Sequence, residues 1–327
     1  MPKKERYDGL DALRAYAILG IILMHVLENG GYQKHGFLFE RLIPAFTNFV
    51  FLFMMVSAFG MCCGYYEKIR NKSISVDEFY SKRYEKIWPY FALLCILDIA
   101  ISPSINALYE GFANLTLCFG LLPNAHISVI GVGWTLGVIF VFYLLFPFFC
   151  YLIGNRKKAW MTLVVALLFN LIASSYFDAD RTNIIYSAVY FVAGGMVYLY
   201  RVELKRYAEQ KKAVVWVVTV VSAVLYFIVG DNTVTMLIVS AALLIYVLGI
   251  NGGGVLLNPF TKFISSISFE IYLCHMVIYR VIEKLHLTHI VDNDVASYLI
   301  TCAGTIAGAV IFSVVAQWGI KRIMRKL

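Results

Sequence analysis

LRAYAILGIILMH (Leu13–His25) is a run of apolar and small residues with one arginine near its start and one histidine at its end. Read with its flanks, it predicts a membrane-crossing helix over 10–27. At about 1.5 Å rise per residue, the eleven positions from Arg14 to His25 span roughly 16 Å. Eleven positions are also close to three turns, so both side chains leave nearly the same face. A charge in hydrocarbon costs on the order of 3 kcal/mol or more, so such residues normally face a bundle interior or a watery cavity. Taken singly, Arg14 could snorkel to the headgroups and His25 could be satisfied by a neighbouring carbonyl. As a pair on one face they indicate a lined cleft, cationic at one end, with a candidate general base at the other.

The whole chain agrees with a membrane setting. Of its 327 residues 61% are hydrophobic and only 15% charged, and the mean hydropathy is +0.75. A soluble domain is about 45–50% apolar and about 25% charged. Apolar runs of suitable length fall at 10–27, 46–66, 87–102, 132–153, 160–176, 184–200, 213–230, 233–250, 264–282 and 295–318. The expected fold is therefore all-α and polytopic, with about ten transmembrane helices. No small-residue cleavage site follows the first run, so it reads as a retained helix rather than a removed signal. The stretch 108–123, bounded by Pro103 and Pro123, reads as re-entrant or interfacial. The expected organisation is one membrane domain with no appended soluble domain.

The formal net charge of +8 does not imply nucleic-acid binding, because its distribution follows topology. Twenty-two Lys and Arg lie at the termini and alternate loops, against five in the intervening loops (Lys34, Arg41, Arg181, Arg280, Lys284). Positive charge concentrates on the cytoplasmic side, which puts both termini there. The seven cysteines sit mostly inside apolar runs without zinc-ligand spacing, and no metal site is expected.

Five segments, in order, resemble the acyltransferase-3 family of integral membrane acyltransferases. LDALRAYAILGIILMH is similar to its opening arginine, ten residues, histidine motif. FLFMMVSAFG resembles its second helix, with Ala58 where glycine is usual. FYSKRYEKIWPYF resembles the entry to its third helix, with Lys86 where a second arginine is usual. WTLGVIFVFYLLFP and ISSISFEIYLCHMVIY resemble a tryptophan-led helix and a Ser-aromatic, Tyr-Leu, His helix. The resemblance covers almost the whole chain.

It implies an enzyme of the acyl-transferring class. Acyl, often acetyl, would pass from cytoplasmic acyl-CoA to a hydroxyl, usually of a cell-surface or lipid-linked glycan, across a bacterial inner membrane. No permanently bound cofactor is implied; acetyl-CoA is a co-substrate. Its phosphates need fixed cations, for which Arg14, Arg83 and Lys86 are the candidates. Asp11 could position Arg14, and Tyr90, Trp134 and Tyr143 could line the donor site or form interfacial belts. His25 could take the acceptor's proton, or be acylated and pass the group on. Glu28 could orient its ring or hold the acceptor, and His275, Glu270 and Tyr272 are candidate cavity residues. His126 is an external loop residue. Partners are then acyl-CoA, a carbohydrate acceptor and the bilayer, and a homo-oligomer is compatible with the sequence. Helix count alone fits a glycolipid or acyl-donor transporter or flippase equally well, with Arg14 and His25 as pathway residues.

Overall fold

A computed structural model describes residues 7–122, 127–230, 232–250 and 255–325. Lys3, Lys4, Arg6 and Lys326, counted in the charge argument, and His126 lie outside them. Among the described residues the structure is helical, without strands. In chain order the helices are α1 (Gly9–Asn29), α2 (Leu38–Arg70), α3 (Val76–Ile101), α4 (Ile105–Leu115), α5 (Trp134–Leu152), α6 (Arg156–Tyr176) and α7 (Ile184–Leu199). They continue with α8 (Arg201–Gln210), α9 (Lys212–Val229), α10 (Thr233–Leu248), α11 (Pro259–Ser266), α12 (Ser268–Lys284) and α13 (Asp294–Met324).

Six of these, α1, α2, α5, α6, α9 and α13, are long and apolar enough to cross a membrane. Counting α7 and α8, bent by 74° at their junction, as one broken span makes seven. All ten apolar runs of the sequence fall on helices, but four fall short as spans by length and composition. Helices α7 and α10 have only 16 residues each. Helix α3 begins with Asp77, Glu78, Lys82, Arg83, Glu85 and Lys86, and α12 carries Glu270, Arg280, Glu283 and Lys284.

Helix α1 is the hub, packing against parts of α2, α10, α11, α12 and α13. Its Ala12, Ala15, Ile18, Ile21 and Ile22 have no exposed surface. Such packing needs small residues where backbones approach, since lipid supplies no hydrophobic drive between helices. Gly194 of α7 is one such point: a Cβ there would run into the Met55 carbonyl of α2.

Helix α4 accounts for the segment after Pro103. Its Ile105, Leu108, Tyr109 and Phe112 form an exposed stripe at helical spacing, the pattern of a helix lying in an interface. Its other side is tied down. Glu110 accepts hydrogen bonds from the Ser128 hydroxyl at 2.7 Å and the Val129 amide at 3.0 Å. Asn114 donates to the Val129 carbonyl at 2.8 Å. The following turn is held by Asp98, buried in α3, which pairs with Arg280 of α12 at 3.0 Å and accepts from the Ile130 amide at 3.4 Å. Ile130 needs that support, because its φ of 51° is left-handed and disfavoured for a β-branched residue.

Candidate functional site

One cavity of about 260 Å³ runs between α1, α2, α3, α5 and the α11–α12 segment. Arg14, Arg83, Lys86 and Glu270 line it, and Tyr272, Thr135 and Phe53 bound it as well. Three cations from two helices thus meet in one hollow with a single carboxylate.

Each cation is placed by local structure. On α3, capped by the Ser75 hydroxyl accepting from the Glu78 amide at 3.0 Å, Arg83 and Lys86 are three apart and share a face. The Nη2 of Arg83 donates to the Tyr65 hydroxyl at 2.6 Å, while its guanidinium stacks 4.8 Å from the same ring. Tyr65 is delivered there by a π-helical turn over Cys62–Tyr66 in α2, a local register shift frequent at functional sites. The Nε of Arg83 is buried and unpartnered. Arg14 lies beside Gly60 of α2, and its Nη1 is 3.7 Å from Asp11. Asp11 in turn accepts from the Ser265 hydroxyl at 2.8 Å, so the acid steers Arg14 without closing it off. Glu270 accepts from Gln317 of α13 at 2.6 Å.

Two expected lining residues lie elsewhere. The Tyr90 hydroxyl is buried behind the cavity, donating to the Glu270 carbonyl at 3.1 Å with Ser313 3.4 Å away. It joins α3, α12 and α13. Trp134 stacks with Arg181, 5.1 Å from ring centroid to guanidinium. Tyr143 of α5 does line the cavity, its hydroxyl 3.1 Å from Ser57.

His25 and His275 are not on the cavity wall. The hollow reaches Tyr272, and the histidines follow beyond that ring. Tyr272 and His275 have centroids 5.8 Å apart, and His275 and His25 are 5.3 Å apart. The Tyr272 hydroxyl donates to the Val132 carbonyl at 3.0 Å and stands 2.8 Å from Thr135 Oγ1. His25 is largely buried, with its Nδ1 3.8 Å from Glu28, which is exposed. At that distance the carboxylate attracts the ring but makes no hydrogen bond to it.

Sequence reasoning left out Arg181, Tyr65, Gln317 and Ser265. Arg181, counted among external loop cations, donates to the Thr47 carbonyl at 2.8 Å and lies over Phe51 as well as Trp134. Its charge is within electrostatic reach of His25 and Tyr272. The missed signal was its place in the sequence, five residues after the apolar run 160–176 and three before the next. Among the described residues no group of three His, Cys, Asp or Glu is placed to hold a metal ion.

A family model described as an acyltransferase domain matches residues 7–314. No curated protein and no solved structure matches the chain.

Proposed function

The chain belongs to the acyltransferase-3 family, a family of membrane acyltransferases, and from that premise we propose that it moves acetyl from cytoplasmic acetyl-CoA to a glycan hydroxyl beyond the membrane. The observation that carries this reading is the convergence of Arg14, Arg83 and Lys86 on one hollow. Guanidinium groups make short, paired hydrogen bonds to phosphate oxygens, and an ammonium adds a point charge. A hollow of 260 Å³ is small beside the usual pocket range of about 300–1,000 Å³. It suits the thin pantetheine arm, with the nucleotide held at its mouth by the cations.

In the proposed reaction neutral His25 accepts the hydroxyl proton of the acceptor as its oxygen attacks the thioester carbonyl. The new C–O ester bond forms, the C–S bond breaks, and the coenzyme thiolate leaves with the proton that His25 returns. Glu28 sits at the acceptor's side of the ring. Ten spans with both termini cytoplasmic, in the inner (plasma) membrane, complete the reading. The concentration of Lys and Arg at the termini and in alternate loops supports that orientation.

The test is transfer of labelled acetyl from acetyl-CoA to lipid-linked oligosaccharide by purified protein in vesicles. Label should appear in the glycan with wild type and not with His25→Ala at equal protein level. Equal turnover by the two proteins would remove His25 from the reaction.

A further inference from the structure

His275 has no exposed surface, and its two ring nitrogens stand in opposite circumstances. Nδ1 lies 2.6 Å from the Tyr272 carbonyl oxygen, one turn back on α12. A carbonyl oxygen only accepts, so Nδ1 carries the hydrogen. Nε2 is buried and, among the described residues, takes no hydrogen bond. Ion-paired histidines are His25, His35 and His289; among the described residues His275 has no such partner. A second proton would leave an unpaired charge in the interior, which is costly. The ring is therefore the neutral Nδ1–H tautomer with a bare lone pair at Nε2.

A buried acceptor that nothing satisfies destabilises the fold, so its presence calls for a donor. Two polar rings lie beside it. Tyr272 has already committed its hydroxyl to Val132 and Thr135. His25, at 5.3 Å between centroids and tilted by 39°, has neither ring nitrogen in a hydrogen bond among the described residues; Nδ1 is 3.8 Å from Glu28.

We propose that His275 is a positioning residue. By a small rotation of the rings, its bare Nε2 takes the hydrogen on Nε2 of His25. That leaves the lone pair of His25 on Nδ1, the nitrogen on the Glu28 side. The Tyr272 carbonyl thereby decides, through two imidazoles, which nitrogen of His25 can receive a proton. Glu28 is not the group that orients the ring, and its carboxylate is left to hold the acceptor. The catalytic meaning rests on the reading of His25 as the base; the tautomer itself does not.

Full-length protein with ¹⁵N-labelled histidine, in lipid nanodiscs without donor or acceptor, tests this by ¹⁵N NMR, where protonated and bare ring nitrogens give separate signals. His25 is assigned by the signals lost in His25→Asn. The expected state of His25 is a hydrogen on Nε2 and none on Nδ1. A hydrogen on Nδ1 in the wild type overturns the proposal without recourse to any further variant. His275→Gln places an amide oxygen near the former Nε2, whereas His275→Asn keeps an N–H for the Tyr272 carbonyl and removes the acceptor. His25 should hold one tautomer in the first and become a mixture in the second. An unchanged His25 spectrum in His275→Asn would also overturn it. In acetyl-CoA turnover, kcat should fall about tenfold or more in His275→Asn and much less in His275→Gln, with KM for acetyl-CoA unmoved. A shifted tautomer with unaltered turnover would count against His25 as the base and leave the His275 assignment standing.

Discussion

At one end of the site Arg14, Arg83 and Lys86 face a hollow; at the other, His25, His275 and Arg181 are packed among rings and loops, off the cavity wall. The first end holds more positive than negative charge and has space for a ligand. The second is filled by packed rings and holds a fully buried imidazole, His275, whose Nδ1 is fixed by the Tyr272 carbonyl. A polyanion can be gathered by charges whose positions tolerate some error, whereas proton transfer needs one nitrogen at one angle. The contrast in packing follows that contrast in demand.

The largest expected effect lies at the packed end. His25→Ala should lower kcat for acetyl transfer by about 10²–10⁴-fold, the range for loss of a general base, with the thermal unfolding midpoint little changed. A change confined to KM would erase the distinction between the two ends. At the open end Arg83→Ala should raise KM for acetyl-CoA by roughly 10–100-fold, from loss of charged hydrogen bonds of about 1.5–3 kcal/mol, and Arg14→Ala should act alike. Isothermal titration with CoA checks this, and an unaltered Kd would show that the hollow does not bind the donor. Asp98→Ala should cost about 1–3 kcal/mol of stability by stranding the Ile130 amide and the Arg280 guanidinium. It is expected to lower the unfolding midpoint while CoA binding stays intact. The smallest change is Lys86→Arg, which should tighten CoA binding by a few-fold through a third guanidinium fork. Weaker binding would mean the ammonium fits a space too narrow for that fork.

Much of the open end was legible in the sequence because depth in a membrane can be counted along a helix. Arg14, Arg83, Lys86 and Glu270 meet in one cavity as their positions suggest. What the count could not supply was azimuth, the direction each side chain takes around its helix once neighbours are packed. Tyr90 and Trp134 have suitable depth, yet one turns behind the cavity to Ser313 and the other turns to Arg181. Arg181 enters the sequence reading only as a loop charge, because a loop's path has no periodicity from which its contacts could be read. The span count suffered differently. Arg83 and Lys86, which line the cavity, add charge to α3, and α12, which carries Glu270, has only 17 residues, so neither is counted as long and apolar enough to cross a bilayer.

Tyr272 touches both worlds. Its ring borders the chamber, but its hydroxyl is fastened to Val132 and Thr135, in the turn that Asp98 and Glu110 pin from outside. A door hung this way is latched from the far side. Swinging the ring aside would break both of those hydrogen bonds, so the chamber and the two histidines stay parted unless the turn moves with it.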